Sequence, residues 1–378
     1  MSFNKQDTTR DEFMLKGPLA KNGYDWWWHS FTALDRLTKE EKQFYVEFFL
    51  VNPKLASLEP VLGQAKENKE HKIKPSYLMV NVGTWGKDKV QLHRFFSLKD
   101  VEIHSDNQYI IEADDCYASE SRLSGKVSVT KEEALAHPEM MSDAGEIIFD
   151  LRIFKEIAFN VGYGANKFFR DLNAFEMYWH AEGMKSSFEG VVNYNGRIYD
   201  VIKDKSYGYS DKNWGSNFTS PWVWLSSNKM TSNLTKKELT NSVFDIGGGC
   251  PKVFHIPLKR KLLSAFYYEG KEFEFNFSKF WTNTKTTFDC KETDKEIIWH
   301  VIQTSIDGKM DATITSKKED MLLINYEDPS GNKRHNRLWN GGNGMGRILL
   351  YTKKKGQYIL LDDIDVKNVG CEYGEYDK

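Results

Sequence analysis

Residues 187–202 read SFEGVVNYNGRIYDVI. Two runs rich in aromatic and β-branched residues, Ser187 to Tyr194 and Arg197 to Ile202, are separated only by Asn195-Gly196. Asn-Gly is the typical pair of a type I′ turn, because both of its central residues adopt positive φ angles. The stretch therefore predicts a β-hairpin, and a two-residue hairpin joins antiparallel strands.

The same pattern continues along the rest of the chain. Short strand-like runs alternate with turn signals about every 8–12 residues, the spacing expected of a β-sandwich or barrel. Aromatic residues make up 14% of the chain, which suits strands because aromatic side chains favour a pleated surface. Helix signals are few, although Thr130-x-x-Glu133 predicts a capping box that opens a short helix before Pro138. Strands do not alternate with helices, so the sequence predicts an all-β fold.

Length, charge and cysteine usage restrict the class of protein. The 378 residues correspond to about two domains. The formal net charge is -2, so we expect no basic field for a nucleic acid. The apolar runs fall far short of the roughly 20 residues of a membrane helix, and no secretory signal is visible. Four well-separated cysteines predict free thiols in a reducing compartment. We therefore expect a cytoplasmic protein with no nucleic-acid partner and no membrane span, and the oligomeric state stays open.

Familiar enzyme motifs are absent or incomplete. Residues 341–346 superficially resemble a dinucleotide-binding loop, but the strand-to-helix setting and the later ribose-binding acid are missing, so a glycine-rich turn is the better interpretation. The same interpretation, a glycine-rich turn, applies to residues 247–249. The sequence contains no GxxxxGK[ST], HExxH or GxSxG, and its nine histidines stand far apart. We therefore expect neither a cofactor nor a metal.

Tryptophans concentrate in two places, and the first is near the N-terminus. Residues 23–31 read GYDWWWHSF. On a strand, side chains alternate between the two faces, so Tyr24, Trp26, Trp28 and Ser30 would share one face. The intervening residues, which include an aspartate and a histidine, would share the other.

The second tryptophan-rich stretch, residues 207–228, reads YGYSDKNWGSNFTSPWVWLSSN. Trp222 and Trp224 would share a strand face, whereas the adjacent Asp211 and Lys212 would point to opposite faces. Tryptophans often only fill a barrel core. Here an aspartate, a lysine and an asparagine accompany them, which favours an aromatic cavity with a few placed polar groups.

These stretches resemble the tocopherol cyclase family. The similar segments are YWH (178–180), GRIYD (196–200), GYSDKNWG (208–215), WVW (222–224), GP (17–18), YDWWW (24–28) and GCEYG (370–374). The resemblance implies two lipocalin-like antiparallel β-barrels in tandem with few short helices, which we place at residues 17–190 and 191–378. It also implies a reaction that closes a ring: a phenol oxygen adds across an alkene of the same molecule, with no cofactor.

Such a reaction gives a proton to the alkene and removes one from the phenol. Indole faces would stabilise a carbocation, whereas a donor such as Lys212 would stabilise an enolate if the alkene is conjugated to a carbonyl. We expect the acid to be Asp211, Asp25 or Glu47, and the base to be one of two histidines. The candidate catalytic residues are Asp211, His180, His29, Asp25 and Lys212. The candidate substrate-binding residues are Tyr24, Trp26, Trp28, Glu47, Arg94, Tyr178, Tyr209, Trp214, Trp222, Trp224 and Asn228.

Several functions fit such a cavity. An enzyme could close a chromane-type ring, close a flavanone-type ring from a chalcone, or hydrate an isolated alkene as carotenoid hydratases do. A non-catalytic lipocalin-like carrier of a hydrophobic ligand is the alternative from another class. An enzyme needs a buried acid and base within reach of one ligand, and Asp211 and Lys212 stand beside the aromatic run. The sequence therefore favours an isomerase of the tocopherol cyclase type, acting on a hydrophobic aromatic small molecule.

Overall fold

The structure is a computed structural model, and it describes residues 11–105, 108–159, 175–253, 256–257, 259–277, 279–325, 327–332 and 338–375. The first large sheet contains β1 (Tyr24–Asp35), β2 (Glu41–Val51), β3 (Tyr77–Thr84), β4 (Val90–Phe96), β5 (Glu102–His104), β6 (Ile110–Ala113), β7 (Cys116–Ser119), β8 (Arg122–Val129), β9 (Gly145–Phe159), β10 (Met177–Tyr194), β11 (Arg197–Val201) and β12 (Gly208–Gly215).

The strands of this sheet pair in the order β4-β3-β2-β1-β11-β10-β9-β8-β7-β6-β5, and β12 pairs with both β1 and β10. All of these pairings are antiparallel. The sheet curls until β4 lies against β8, where the Arg94 Nη1 donates a hydrogen bond of 3.0 Å to the carbonyl of Lys126. This closure forms the first barrel.

The remaining strands form the second barrel and one small sheet. The second barrel contains β13 (Trp222–Ser227), β14 (Lys229–Ser232), β15 (Val243–Gly249), β18 (Lys261–Tyr268), β19 (Lys271–Phe275), β20 (Lys285–Glu292), β21 (Glu296–Thr304), β22 (Gly308–Lys317), β23 (Leu322–Ile324), β24 (Leu338–Lys354) and β25 (Gln357–Gly374). The small sheet contains β16 (Lys252–Val253) and β17 (Ile256–Pro257). The backbone of the second barrel follows the order β19-β18-β15-β13-β25-β24-β22-β21-β20. Near its two ends, one strand in from each, Gln303 Nε2 of β21 donates to the carbonyl of Leu262 on β18 at 3.2 Å.

The predicted fold class, all-β with two lipocalin-like antiparallel barrels in tandem and few short helices, is confirmed. The predicted boundary between residues 190 and 191 falls inside β10, whereas the division between the two large sheets falls between β12 and β13. The division of the chain into domains 17–190 and 191–378 stays a prediction.

Two local predictions can be compared with the backbone. Asn195 and Gly196 both have positive φ angles, 50° and 84°, between the paired residues Tyr194 and Arg197, as a type I′ turn requires. Thr130 caps the short helix α2 (Lys131–Ala136) with both hydrogen bonds of a capping box. The other described α-helix, α1 (Lys66–His71), is equally short. No helix in the described part of the chain is both long and apolar enough to cross a membrane.

Apolar side chains gather in three places: inside the first barrel, inside the second barrel, and between the two barrels. Strand β1 separates the apolar cluster inside the first barrel from the apolar cluster between the barrels. Tyr24 and Trp28 lie between the barrels, whereas Trp27 and Phe31 lie inside the first barrel. The predicted alternation of β1 is therefore confirmed.

The glycine-rich segments are strands, not the turns that the sequence suggested. Gly247 lies within β15, and a Cβ atom there would be 2.5 Å from the ring of Trp179. Gly342 lies within β24, and a Cβ atom there would be 2.3 Å from the ring of Trp85. Glycine is required at both positions because indole rings pack directly on the strand backbone.

Candidate active site

The candidate site lies where β12 and β1 of the first barrel face the second barrel. In the antiparallel pair of these strands, Trp28 is opposite Asp211 and Trp26 is opposite Asn213. Asp211 lines a pocket between the barrels, whereas Lys212 contacts Asp25 and the Trp27 ring on the other face. Adjacent residues on a strand point in opposite directions, so only one member of this pair reaches the pocket.

Four tryptophans form most of the pocket wall. The pocket is lined by Trp26, Trp28, Asp211, Asn213, Trp222, Trp224 and Glu372. Its free volume is about 20 Å³, enough for about one water molecule. Trp26 is the one tryptophan of the four that is partly exposed. A larger ligand would therefore require side chains to move.

Asp211 is buried and is surrounded by donors that carry no charge. The indole Nε1 of Trp179 donates to it at 3.0 Å and that of Trp26 at 3.4 Å, and the Tyr209 hydroxyl lies at 3.2 Å. Burial raises the pKa of Asp211 well above its usual value, Glu372 raises it further, and the indole hydrogen bonds lower it only in part. This carboxyl group therefore holds its proton at a pH where an exposed aspartate is ionised.

Two further carboxyl groups lie at the same site. Asp245 of β15 accepts the Trp224 Nε1 at 3.1 Å, and the Tyr209 hydroxyl lies 3.3 Å away. Burial, followed by the nearby Asp211, raises the pKa of Asp245 well above its usual value.

Glu372 of β25 completes the group. It accepts the Trp222 Nε1 at 2.6 Å and the Asn340 Nδ2 at 2.5 Å, and burial raises its pKa to about 7. In the described part of the chain, no lysine or arginine pairs with this glutamate or with the aspartates at 211 and 245.

Sequence reasoning did not propose Asp245 or Glu372. Both reach the site because β13 pairs with β15 on one side and with β25 on the other, which places Trp224 opposite Gly247 and opposite Glu372. These pairings join distant parts of the chain, so no local pattern shows them. The one available signal was that Glu372 lies in the C-terminal segment GCEYG.

The other predicted catalytic residues lie inside the first barrel. Lys212 and Asp25 form a buried ion pair, and Lys212 Nζ lies 3.7 Å from the centre of the Trp27 ring. The Met14 backbone N–H also donates to Asp25 at 2.7 Å. Burial raises the pKa of Asp25 to about 6 against the opposing effect of Lys212, and burial lowers the pKa of Lys212.

The two candidate bases are buried in the same barrel. The His29 Nδ1 is 2.9 Å from Ser210 Oγ, its Nε2 is 3.3 Å from Tyr109 Oη, and burial lowers its pKa well below the usual value. The His180 Nε2 is 3.1 Å from Asp11 Oδ1. His29 and His180 therefore lie on the first-barrel side of the sheet, away from the pocket that Asp211 lines. Their role as bases stays a prediction.

A charged cluster that the sequence did not predict surrounds Lys155. Its Nζ contacts Glu120, lies 2.9 Å from Glu182 Oε1 and lies 3.4 Å from Asp11 Oδ2, and all four side chains are buried. Among the described residues, these three carboxylates are the one group of acidic, histidine or cysteine ligands close enough to share a cation. The lysine supplies the positive charge at this point.

Most of the predicted binding residues line the pocket or adjoin it. The residues on this side are Tyr24, Trp26, Trp28, Tyr209, Trp222 and Trp224. The Tyr24 hydroxyl donates to Asn213 at 2.8 Å. Glu47 is opposite Trp28 in the strand pair and accepts the Asn81 Nδ2 at 2.8 Å, so it adjoins the same aromatic layer without lining the pocket.

Four predicted binding residues lie elsewhere. Tyr178 and Trp214 stack on each other with ring centres 5.4 Å apart and pack in the first barrel. Arg94 pairs with two acids near the surface, Asp114 among them. The Asn228 Nδ2 donates to the carbonyl of Gly208 at 3.0 Å. Packing and backbone contacts occupy these side chains, so their positions do not support a role in binding at the pocket.

Comparison with known proteins finds a family to which the central part of the chain is similar. Residues 161–299 match the family model described as tocopherol cyclase-like. This range, somewhat more than a third of the chain, contains the segments at 178–228 that carried the resemblance, which is thereby confirmed there. No curated protein matches the chain. The family match favours an enzyme that acts on a small molecule.

Solved structures with similar backbones cover most of the chain. Kievitone hydratase from Nectria haematococca has 12% sequence identity and a TM-score of 0.47, with 97% of each chain covered. CghA in complex with Sch210972 has 9% identity and a TM-score of 0.46, covering 95% of this chain and 90% of that chain. An AttH protein from Nitrosomonas europaea has 10% identity and a TM-score of 0.44, covering 93% and 92%.

Proposed function

We propose that the protein is an acid-catalysed cyclase that adds a phenol oxygen across an alkene of the same hydrophobic aromatic molecule. The observation that carries the proposal is Asp211: a buried carboxyl group, its pKa raised by burial, that faces a pocket walled by four indole rings. Raised carboxyl pKa values of this kind are typical of general acids. The family match supports the same reaction class.

The chemistry follows from a neutral acid among indoles. Asp211 gives its proton to one alkene carbon, and the electron pair of the double bond forms the new C–H bond. The positive charge that develops on the neighbouring carbon is stabilised by the faces of Trp26, Trp28, Trp222 and Trp224. The phenol oxygen bonds to that carbon and releases its proton, so the reaction is an isomerisation without a redox step.

The position of the positively charged groups favours an isolated, electron-rich alkene over an alkene conjugated to a carbonyl. The donor that the sequence suggested for an enolate oxygen was Lys212. Lys212 and the two candidate histidines lie inside the first barrel, on the far side of β12. Chromane-type closure of a prenylated phenol is therefore proposed ahead of flavanone-type closure of a chalcone.

Hydration is the second candidate function. Water would capture the same carbocation, and the free volume beside Asp211 and Asn213 matches one water molecule.

A cytoplasmic location belongs to the proposal as well, because Cys116, Cys250, Cys290 and Cys371 are all free thiols.

The test uses 2-geranylhydroquinone as the probe, with product analysis by mass spectrometry. Asp211→Asn keeps the shape of the side chain and removes the acidic proton, so we expect turnover to fall by roughly 10²–10⁴. Probe affinity, followed by tryptophan quenching, should stay within a few-fold. The matched control is Asp150→Asn, at a position that pairs with Arg122 on the surface. Turnover at the wild-type rate in Asp211→Asn would contradict the acid assignment, and binding without any product in the wild type would favour a carrier.

A further inference from the structure

A single hydroxyl group connects two carboxyl groups across the boundary between the barrels. The Tyr209 Oη lies 3.2 Å from Asp211 Oδ2 and 3.3 Å from Asp245 Oδ2. Tyr209 and Asp211 belong to β12 of the first barrel, and Asp245 belongs to β15 of the second. All three side chains are buried, Asp245 completely.

Counting hydrogens shows what this bridge requires. A phenol hydroxyl has one hydrogen and can donate to only one carboxyl group at a time. The other contact is a hydrogen bond only if that carboxyl group carries a proton and donates it to Oη. Two ionised carboxylates around one hydroxyl would leave a buried acceptor unsatisfied beside a like charge, which is costly.

The remaining neighbours cannot accept that proton. Asp211 receives the indole N–H groups of Trp26 and Trp179, and Asp245 receives that of Trp224. An indole N–H only donates. Among these contacts, the Tyr209 oxygen is therefore the group that can accept a carboxyl proton, and the proton is shared along the line Asp211–Tyr209–Asp245.

We propose that Tyr209 relays a proton from Asp245 to Asp211, so that Asp245 receives the proton released by the substrate and restores the acid for the next turnover. This inference rests on the proposed function of Asp211. It assigns a role to Asp245, which stands in no recognised motif.

The proton balance closes without another reactant. Asp211 gives its proton to the alkene and becomes a carboxylate, and the Tyr209 hydroxyl turns to donate to it. Asp245 does not itself line the pocket, but it accepts the Nε1 hydrogen bond of Trp224, whose ring does. When that ring moves to admit the substrate, the phenol releases its proton to the Asp245 carboxylate. Asp245 then passes a proton to Tyr209 Oη while the Tyr209 hydrogen moves to Asp211, which regenerates the starting state.

The first experiment compares Tyr209→Phe and Asp245→Asn in a rapid-mixing assay with 2-geranylhydroquinone. We expect the first turnover to be slowed less than the later ones, because Asp211 starts protonated. Later turnovers should slow by about 10-fold or more, giving a burst of about one product per enzyme. Tyr358→Phe, on an exposed part of β25, is the control and should show no burst. Steady turnover at the wild-type rate in both variants would overturn the relay.

An infrared measurement tests the shared proton without any substrate. At neutral pH, the carboxylic acid C=O band should shift in both Tyr209→Phe and Asp245→Asn, because each change removes a partner of the shared proton. A wild-type spectrum in both variants would overturn the relay. If these spectral changes appear but the wild type makes no product from the probe, the relay geometry stands and the proposed function fails for that probe.

Discussion

The carboxyl groups on the two sides of β12 have different hydrogen-bond partners. Inside the first barrel, Asp25 has Lys212, and the acids around Lys155 share that lysine. Between the barrels, Asp211 and its two carboxyl neighbours receive hydrogen bonds from indole, amide and hydroxyl groups, which carry no charge.

This difference separates stability from chemistry. A lysine beside a buried carboxyl group opposes the effect of burial, although burial still raises the pKa of Asp25, Asp11 and Glu182. Removing one partner of such a buried pair is strongly destabilising. A buried carboxyl group with neutral donors keeps its proton and can give it away. Four of the residues that the sequence offered as catalytic candidates lie on the first kind of face, and Asp211 lies on the second.

The largest expected effect comes from removing the lysine of the charged cluster. Lys155→Met leaves three buried acids without a cation, so the free energy of unfolding should fall by about 3–5 kcal/mol, measured by urea unfolding. The control is Lys126→Met, which removes a partly exposed ion pair with Glu146 and should cost less than about 1 kcal/mol. Equal losses in the two variants would contradict the role of burial in this comparison.

A smaller loss is expected when an indole is pushed away from its carboxyl group. Gly370→Ala places a Cβ atom 2.3 Å from the ring of Trp224, which donates to Asp245. Overpacking of this kind costs about 1–3 kcal/mol, measurable by urea unfolding. The control is Gly341→Ala, in which the new Cβ atom would lie 3.0 Å from the side chain of Met321. Because that side chain is flexible and can move, the free energy of unfolding should fall less in this control. A larger loss of stability in Gly341→Ala than in Gly370→Ala would show that the Trp224 indole is not tightly packed.

The interface acids should give the stability a distinctive pH dependence. The pKa of Glu372 rises from 4.5 to about 7 on folding, so between these values the folded state holds a proton that the unfolded state has released. The free energy of unfolding therefore falls as pH rises through this range. Because Glu372 is half-buried and not fully shielded from solvent, we expect a loss of about 1–2 kcal/mol. Urea unfolding at about pH 5 and pH 8 measures this fall in the free energy of unfolding, which should be smaller in Glu372→Gln than in the wild type. An equal fall in both proteins would contradict the assignment of this pH dependence to Glu372.

The smallest effect is expected at Arg94. Its ion pairs with Asp114 and Asp115 are partly exposed, and none of the three residues lines the pocket. Arg94→Met should change the free energy of unfolding by less than about 1 kcal/mol and leave probe turnover within a few-fold. A large fall in turnover with unchanged stability would instead support a role for Arg94 in substrate binding.

Local signals explain what the sequence could predict. The Asn195-Gly196 turn, the Thr130 cap and the alternation of Trp27 and Trp28 depend on a few adjacent residues. Asp211 was accessible for the same reason, since it stands within a recognisable aromatic segment. The opposite orientation of Lys212 also followed from the period of a strand.

Long-range pairing explains the rest. Trp222 reaches Glu372 across 150 positions of the chain, and Asp11 reaches Lys155 across 144, so no local pattern indicates either contact. The glycine segments misled for a related reason. A glycine that makes room for an indole looks in sequence like a glycine that makes a turn, and the distinction at Gly247 depends on where the distant Trp179 lies.

The most direct test of the central claim is the protonation state of Asp211. Protein labelled with ¹³C at the aspartate carboxyl carbons can be titrated by NMR, with the Asp211 signal assigned by its loss in Asp211→Asn. The account predicts that this carboxyl group is protonated at neutral pH and titrates well above the usual value of 3.8. A titration close to that usual value would mean that Asp211 is ionised in the resting protein, and would contradict its role as the acid.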